Sequence, residues 1–467
     1  MTAVGSQLPA PAEVVEAALA ASRSTGCVVL VEDGHRVNLR WAGSALTTNG
    51  HSHQRTLTVV ALDGQGRHTS AGAVSGPVRA ADDIVALVGQ AEDVARRAAP
   101  EESARALVAG TAADDADSPA AEGSFDVLAG LTPALGDVLA RARGDGTLLY
   151  GYAEHRVTTT YLATSTGTRH RHVQPSGHLT MTAKTADRSA STWTGLATRD
   201  FTDVDVHALD VSLRRRLGWA GTTVALRPGH HPVILPPSAV ADLMVYAYWE
   251  MGALAAHEGR TAYADPGRGT LVGRPLVDPR VTVRSDPAHP GLAAADVLAT
   301  GASGAFASVF DNGLPVPATR WVDRGTLSAL VQTRHSAELT GLPVTPFVDN
   351  LVVDVDGGSG DVDDLVARCE DGVLLTSLWY IRMVDPRRLL LTGLTRDGVY
   401  LVRDGEVVGA AGNFRFNDSP VELLRRLQDA GGTVPTFSRE WGEYFPRTAM
   451  PPLRVHDVHF STTSDAL

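Results

Sequence analysis

Sixteen histidines are the residues of this chain best equipped for chemistry, and their spacing is uneven. His51 and His53, like His170 and His172, are two apart, so on a strand each pair would point to one face. His456 and His459 lie three apart with Asp457 between them, and His230 and His231 are adjacent. Each pair could give a metal two ligands. None has a predictable third donor, and an imidazole pair without one is more often hydrogen-bonded or solvated than a ligand set. His257-Glu258 opens like a zincin helix, but Thr261 and Ala262 stand where a second histidine should fall.

Other signatures fail in instructive ways. No phosphate-binding Gly-x-x-x-x-Gly-Lys-Ser/Thr loop occurs, and Gly64-Gln65-Gly66 lacks the third glycine of a dinucleotide fingerprint. Gly301-Ala302-Ser303-Gly304-Ala305 misses the final glycine of a nucleophile elbow. With only Cys27 and Cys369, neither a four-cysteine zinc site nor a disulfide framework can be built. Arg382, Arg387, Arg388 and Arg396 could receive a carboxylate, although such residues are more ordinarily the solvated edges of strands.

A formal charge of −12 argues against gripping nucleic-acid phosphates and is simply explained by solubility. No run approaches the roughly 18 apolar residues that cross a bilayer. Near the N-terminus, Glu13 and Glu16 interrupt what a signal peptide would need as an apolar stretch. The expectation is a cytoplasmic protein with no nucleic-acid and no membrane partner.

Hydrophobic spacing indicates the elements that would position these side chains. A helix is expected over 12–21, strands over 27–32, 37–41 and 57–62, and a turn at Asp63-Gly64-Gln65-Gly66. A second helix over 81–98 carries Ile84, Leu87, Val88 and Ala91 on one stripe. A polar connection over 99–125 leads to a helix over 127–143, strands over 148–152, 157–164 and 179–184, and a helix over 206–217. Beyond residue 220, Val233-Ile234-Leu235 reads as a strand, Ser238 as an N-cap, and 239–257 as one helix. The remainder is β-rich, with turn signals at 311–313, 323–325, 396–398 and 403–405 and a late helix over 420–430. The fold class expected is α+β. An N-terminal α/β domain (1–218) precedes a C-terminal antiparallel sheet or barrel-like domain (219–467) packed around a long helix.

Several blocks resemble the TldD/PmbA family of metallopeptidases: PVILPPSAVADLMVYAYWEMGAL (232–254), LVGRPLVDPRVTVRSDP (271–287), FDNGLPVPATRWVDRGTL (310–327), LTGLTRDGVYLVRDGEVVGAAGNFRF (391–416) and TAMPPLRVHDVHF (448–460). The resemblance implies a catalytic helix bearing His-Glu-x-x-x-His, with a cysteine near the C-terminus as third zinc ligand. Five residues turn a regular helix by roughly 500°, leaving the two histidines about 140° apart, so the helix must unwind or end there. Here the corresponding string is Trp249-Glu250-Met251-Gly252-Ala253-Leu254, and the late segment reads Ser438-Arg439-Glu440-Trp441-Gly442-Glu443. Only the glutamate remains. Trp249 offers an N–H and no lone pair, Leu254 offers nothing, and a catalytic zinc needs about three protein ligands.

The resemblance therefore implies the metal-lacking, TldE/PmbA-like subfamily. This chain would carry no cofactor of its own, and zinc would reside on a TldD-type partner in a heteromeric peptidase acting on extended peptides such as leader segments. Glu250 would line a shared chamber, or be a solvated helix residue; Trp249 suits packing better than peptide stacking. Two other readings stay open at this stage: a homodimeric binding or regulatory protein, and a self-sufficient hydrolase built on one of the histidine pairs.

Overall fold

The computed structural model describes residues 9–464. Pro11 opens α1 (Pro11–Ala21), a position where its missing N–H costs nothing, and the Glu13 carboxylate accepts from the Ala10 amide at 2.9 Å. Val14, Val15 and Ala18 are the face it buries. A long hairpin follows, β1 (Gly26–Ala42) and β2 (Ala45–Asp63), then β3 (Ser70–Pro77) and α2 (Ala81–Arg97). The runs 27–32 and 37–41 thus belong to one strand. Its polar middle stays extended because Asp33 finds His53 and Arg55 across the ladder.

After the connection come α3 (Leu131–Asp145), β4 (Leu148–Thr164), β5 (Arg169–Lys184), β6 (Ser191–Thr198) and α4 (Val206–Trp219). β4 likewise fuses two expected strands, and β6 had no counterpart in the sequence reading. The six strands form one antiparallel sheet in the order β3-β2-β1-β4-β5-β6. Helices cover one face only. α1 and α2 pack on Val29, Val31, Leu57 and Val59, while α3 and α4 pack on Leu39, Trp41, Leu149 and Met181. On the opposite face Val28, Leu30, Val60 and Leu162 meet Val309 and Phe310. The rest of that face is polar.

The second half centres on α5 (Pro237–Trp249), preceded by β7 (Gly229–Leu235). Pro237, not Ser238, supplies the first turn. Nine of the thirteen α5 residues are buried, which explains its nearly unbroken apolar sequence. A nine-stranded and a six-stranded sheet curl about it as a half-barrel. Pairing is mostly antiparallel, with two parallel joints: β7 to Asp371–Leu375, and Leu351–Val355 to Thr448–Met450.

Two turn signals make tight hairpins, at Arg324-Gly325 and Asp404-Gly405, where all four residues take positive φ. The other two do not. Asp311-Asn312 is buried, with the Asn312 amide donating to the Thr300 and Val309 carbonyls at 2.9 and 2.8 Å. Asp397 is buried against Arg439. The late helix stops at Arg425, and Leu427–Ala430 becomes a strand beside Leu453–Ser464. No helix among the described residues is long and apolar enough to cross a membrane.

Candidate functional site

The expected single helix over 239–257 is two helices. α5 ends at Trp249, Glu250 closes it with φ −93° and ψ 0°, and Gly252 is extended before α6 (Ala253–His257). Neighbouring groups satisfy the interrupted backbone. The Met251 carbonyl accepts from the Val331 amide at 2.8 Å, and the Ala253 amide donates to the Val331 carbonyl at 2.9 Å. The Tyr263 hydroxyl takes the Ala247 carbonyl at 3.0 Å. With these bonds made, the break costs little unpaired backbone.

At this break Trp249 is half-buried, its ring edge-on to Trp441 (5.4 Å) and Phe445 (6.4 Å) and tilted toward Tyr246 (6.5 Å). It packs. Glu250 is half-buried, its carboxylate makes no hydrogen bond or ion pair among the described residues, and burial pushes that carboxyl above the usual range. Leu254 is half-buried on α6. An indole N–H, one carboxylate and an aliphatic chain do not fit a zinc ion.

The late segment 438–443 lies directly against α5. Asp242, fully buried on that helix, accepts from the Ser438 hydroxyl (2.5 Å) and the Glu440 amide (2.8 Å), and the Trp441 indole donates to its carbonyl (3.0 Å). Burial pushes the Asp242 carboxyl up to about 7, against these hydrogen bonds. The two stretches that the resemblance assigns to zinc ligation are therefore adjacent.

Residues 442–447 continue into the wall of a cleft of about 730 Å³ between the polar face of the first sheet and the second half of the chain. On its floor Glu154 gathers Arg36 (3.3 Å), Arg156 (3.1 Å) and the Tyr152 hydroxyl (2.6 Å). Burial and then Glu154 raise the Tyr152 phenol. His178 stacks on Phe437 at 4.9 Å, and its pKa, like that of His170, is lowered chiefly by burial. On the wall, Arg447 is pushed down to about 10 by burial while its Nε holds the Asp349 carbonyl at 2.8 Å.

The histidine pairs separate clearly. His170 and His172 do share the cleft face, but His170 lies 3.5 Å from Asp296 and His172 meets Gln174 at 3.1 Å. His230 stacks on His459 at 4.7 Å and pairs with Asp457 at 3.0 Å, away from the cleft lining. His53 is joined by Asp33 and His35, two residues the sequence reading passed over. The arginines form no common site: Arg382 pairs with Glu440 (3.2 Å) and Arg396 with Asp397 (3.6 Å). Cys27 and Cys369 are buried and unlinked.

The profile of the PmbA/TldA metallopeptidase C-terminal domain matches residues 228–462. The chain belongs to that family. Among solved structures it resembles TldE from Thermococcus kodakarensis, at 16% identity and a TM-score of 0.76, covering 96% of this chain and 99% of that one. It also resembles a protein from Thermotoga maritima described as a candidate modulator of a DNA gyrase, at 15% identity and a TM-score of 0.72, covering 93% and 95% of the two chains. A similarly described protein from Bacteroides thetaiotaomicron matches at 14% identity and a TM-score of 0.72, covering 97% and 98%. At such identities the likeness concerns the fold. No curated protein gives a significant sequence match.

Proposed function

We propose that this chain is the non-catalytic, TldE-like subunit of a heteromeric zinc peptidase. A TldD-type partner holds the zinc and cleaves extended or unfolded peptides, leader segments among them. One observation carries this reading: the chain has the helix break of a metal-binding helix, yet Trp249, Glu250 and Leu254 bring a single carboxylate to it. The likeness to TldE is in keeping with it. The chain would then supply enclosure and binding. Peptide in an extended form suits the cleft, whose floor presents charged, hydroxyl and imidazole side chains to a main chain lying across it. We take residues 1–218 and 219–467 as its two domains, Glu250 as a residue of the enclosed chamber, and the cytoplasm as its compartment.

The test is cleavage of a panel of unstructured peptides by the purified chain, by its TldD-type partner, and by the two together. Expected are an inert lone chain and an active pair whose cleavage is lost when the partner is stripped of zinc. Cleavage by the lone chain would overturn the proposal. So would a partner whose rate and stability are indifferent to this chain, which would leave a homodimeric binding role.

A further inference from the structure

We infer that Asp33, His35 and His53 form a binding site for one divalent transition-metal ion of the zinc class, separate from the α5 break and cleft. The β1–β2 register sets His35 directly opposite His53 and Asp33 opposite Arg55, so all four side chains stand on the helix-covered face of the first sheet. The Asp33 Oδ1 lies 2.8 Å from the His53 Nε2 and 3.6 Å from the His35 Nε2. Three donors each about 2.0–2.2 Å from an ion and near-tetrahedrally disposed are separated by ~3.3 Å, between those two distances. Two imidazoles and a carboxylate suit zinc, cobalt or nickel rather than magnesium or calcium, which prefer oxygen alone.

The surroundings are those of a built site. Asp33 is 1% exposed, and its other oxygen is held by the Arg55 Nε at 2.7 Å. This contact fixes the carboxylate and offsets its charge, and leaves Oδ1 facing the imidazoles. His35 is largely buried and turns its Nε2 toward Asp33. A fourth position is open to water, and the ion would turn the His35 and His53 rings out of their parallel stack (ring centres 4.1 Å apart) to bring both in-plane lone pairs onto it.

An ion here would fasten the polar connection to the sheet. That connection crosses directly over the cluster: the Tyr161 hydroxyl donates to the Ser118 carbonyl (2.7 Å), and the Ala121 amide to the Thr159 hydroxyl (2.9 Å). Gly123 packs so closely on His35 that a Cβ there would come within 2.6 Å of the histidine's own. The role is therefore structural, and the site does not make the chain a peptidase.

The full chain, stripped with chelator, would be titrated with zinc and with cobalt by calorimetry and visible absorption. One equivalent is expected, with a cobalt spectrum of low coordination number and a rise in Tm on zinc addition. His35→Gln and His53→Gln each abolish all three responses, while His456→Gln on the distant strand retains them. In the unmutated protein, zinc also protects His53 from diethyl pyrocarbonate, read by mass spectrometry; this arm requires no variant to fold. No binding, or binding and His53 modification indifferent to these changes, would show a plain hydrogen-bonded triad and overturn the inference. Peptide cleavage by the lone chain bears on the subunit proposal and leaves this one untouched.

Discussion

Asp242→Asn isolates the cost of placing a carboxylate inside the second half of the molecule. Burial raises the Asp242 pKa from 3.8 to about 7, so the folded state holds its proton more tightly than the unfolded chain. Its contribution to stability is fully present below about pH 4 and is lost as pH rises through about 7. Between pH 5 and pH 8 this linkage amounts to about 2.5 kcal/mol, out of about 4 for the whole shift. Asparagine keeps the shape and does not titrate. Any constant offset, such as the amide donors left near the unpartnered Oδ2, cancels when the two pH profiles are subtracted. The assay is denaturant unfolding of both proteins from pH 5 to pH 8. Native protein should lose about 2.5 kcal/mol more than the variant across that range, equivalent to about 5–10 °C in Tm for a unit of this size. Parallel profiles would refute the reasoning, because they would mean that Asp242 is solvated or compensated at neutral pH.

Trp249→Ala should cost about 2–3 kcal/mol, below the ~3–5 of a fully buried tryptophan, and lower the unfolding midpoint without changing secondary structure by circular dichroism. Glu250→Gln should flatten the decline in stability as pH rises above the carboxylate range, since burial alone raises this group; an unchanged profile in thermal scans would place the carboxylate in water. Asp397 is pushed up by burial but pulled down further by Arg439, Ser191 and Arg396, so its net pKa is lowered. The contribution of its buried pair with Arg439 is present at neutral pH and lost on acidification. Asp397→Asn should therefore cost about 3–5 kcal/mol at pH 7 and much less near pH 3. Because the Arg439 guanidinium also lies over Trp193 and Trp379, at 5.0 and 5.3 Å, tryptophan emission should report the change.

Much of this architecture is legible in the sequence where one signal dominates. Amphipathic spacing gives α1, α2 and α4 nearly to the residue, and the β-rich run with its turn signals gives the sheet that curls around α5. The break at 250–252 is implied by the resemblance, but not by local propensity, because Ala-rich 253–257 would continue a helix; the Val331 backbone, some eighty residues on, decides it. Residues 33–36 fall in the gap between two expected strands for a similar reason, since their cross-strand partners are invisible to a local window. The same blindness hides Asp33 and His35. The sequence does hold their signal, Asp-x-His at 33–35 facing His-x-Arg at 53–55, but only once the hairpin register is known. Asp397, in an Asp-Gly pair that suggests an exposed turn, is buried because Arg439 reaches it from the late segment.

The interruption of α5 is fixed by main-chain atoms of 251, 253 and 331, none of which depends on the side chains at 249 or 254. Under the subunit role proposed above, the mutational distance between scaffold and catalyst is therefore short here. Histidines at 249 and 254 and a thiol within 438–443 would enter a backbone already bent for them, with no segment to refold. A library confined to those positions and selected for zinc retention samples the route directly, and the tightly interlocked Trp249–Trp441 pair marks the obstacle that compensating changes must first remove.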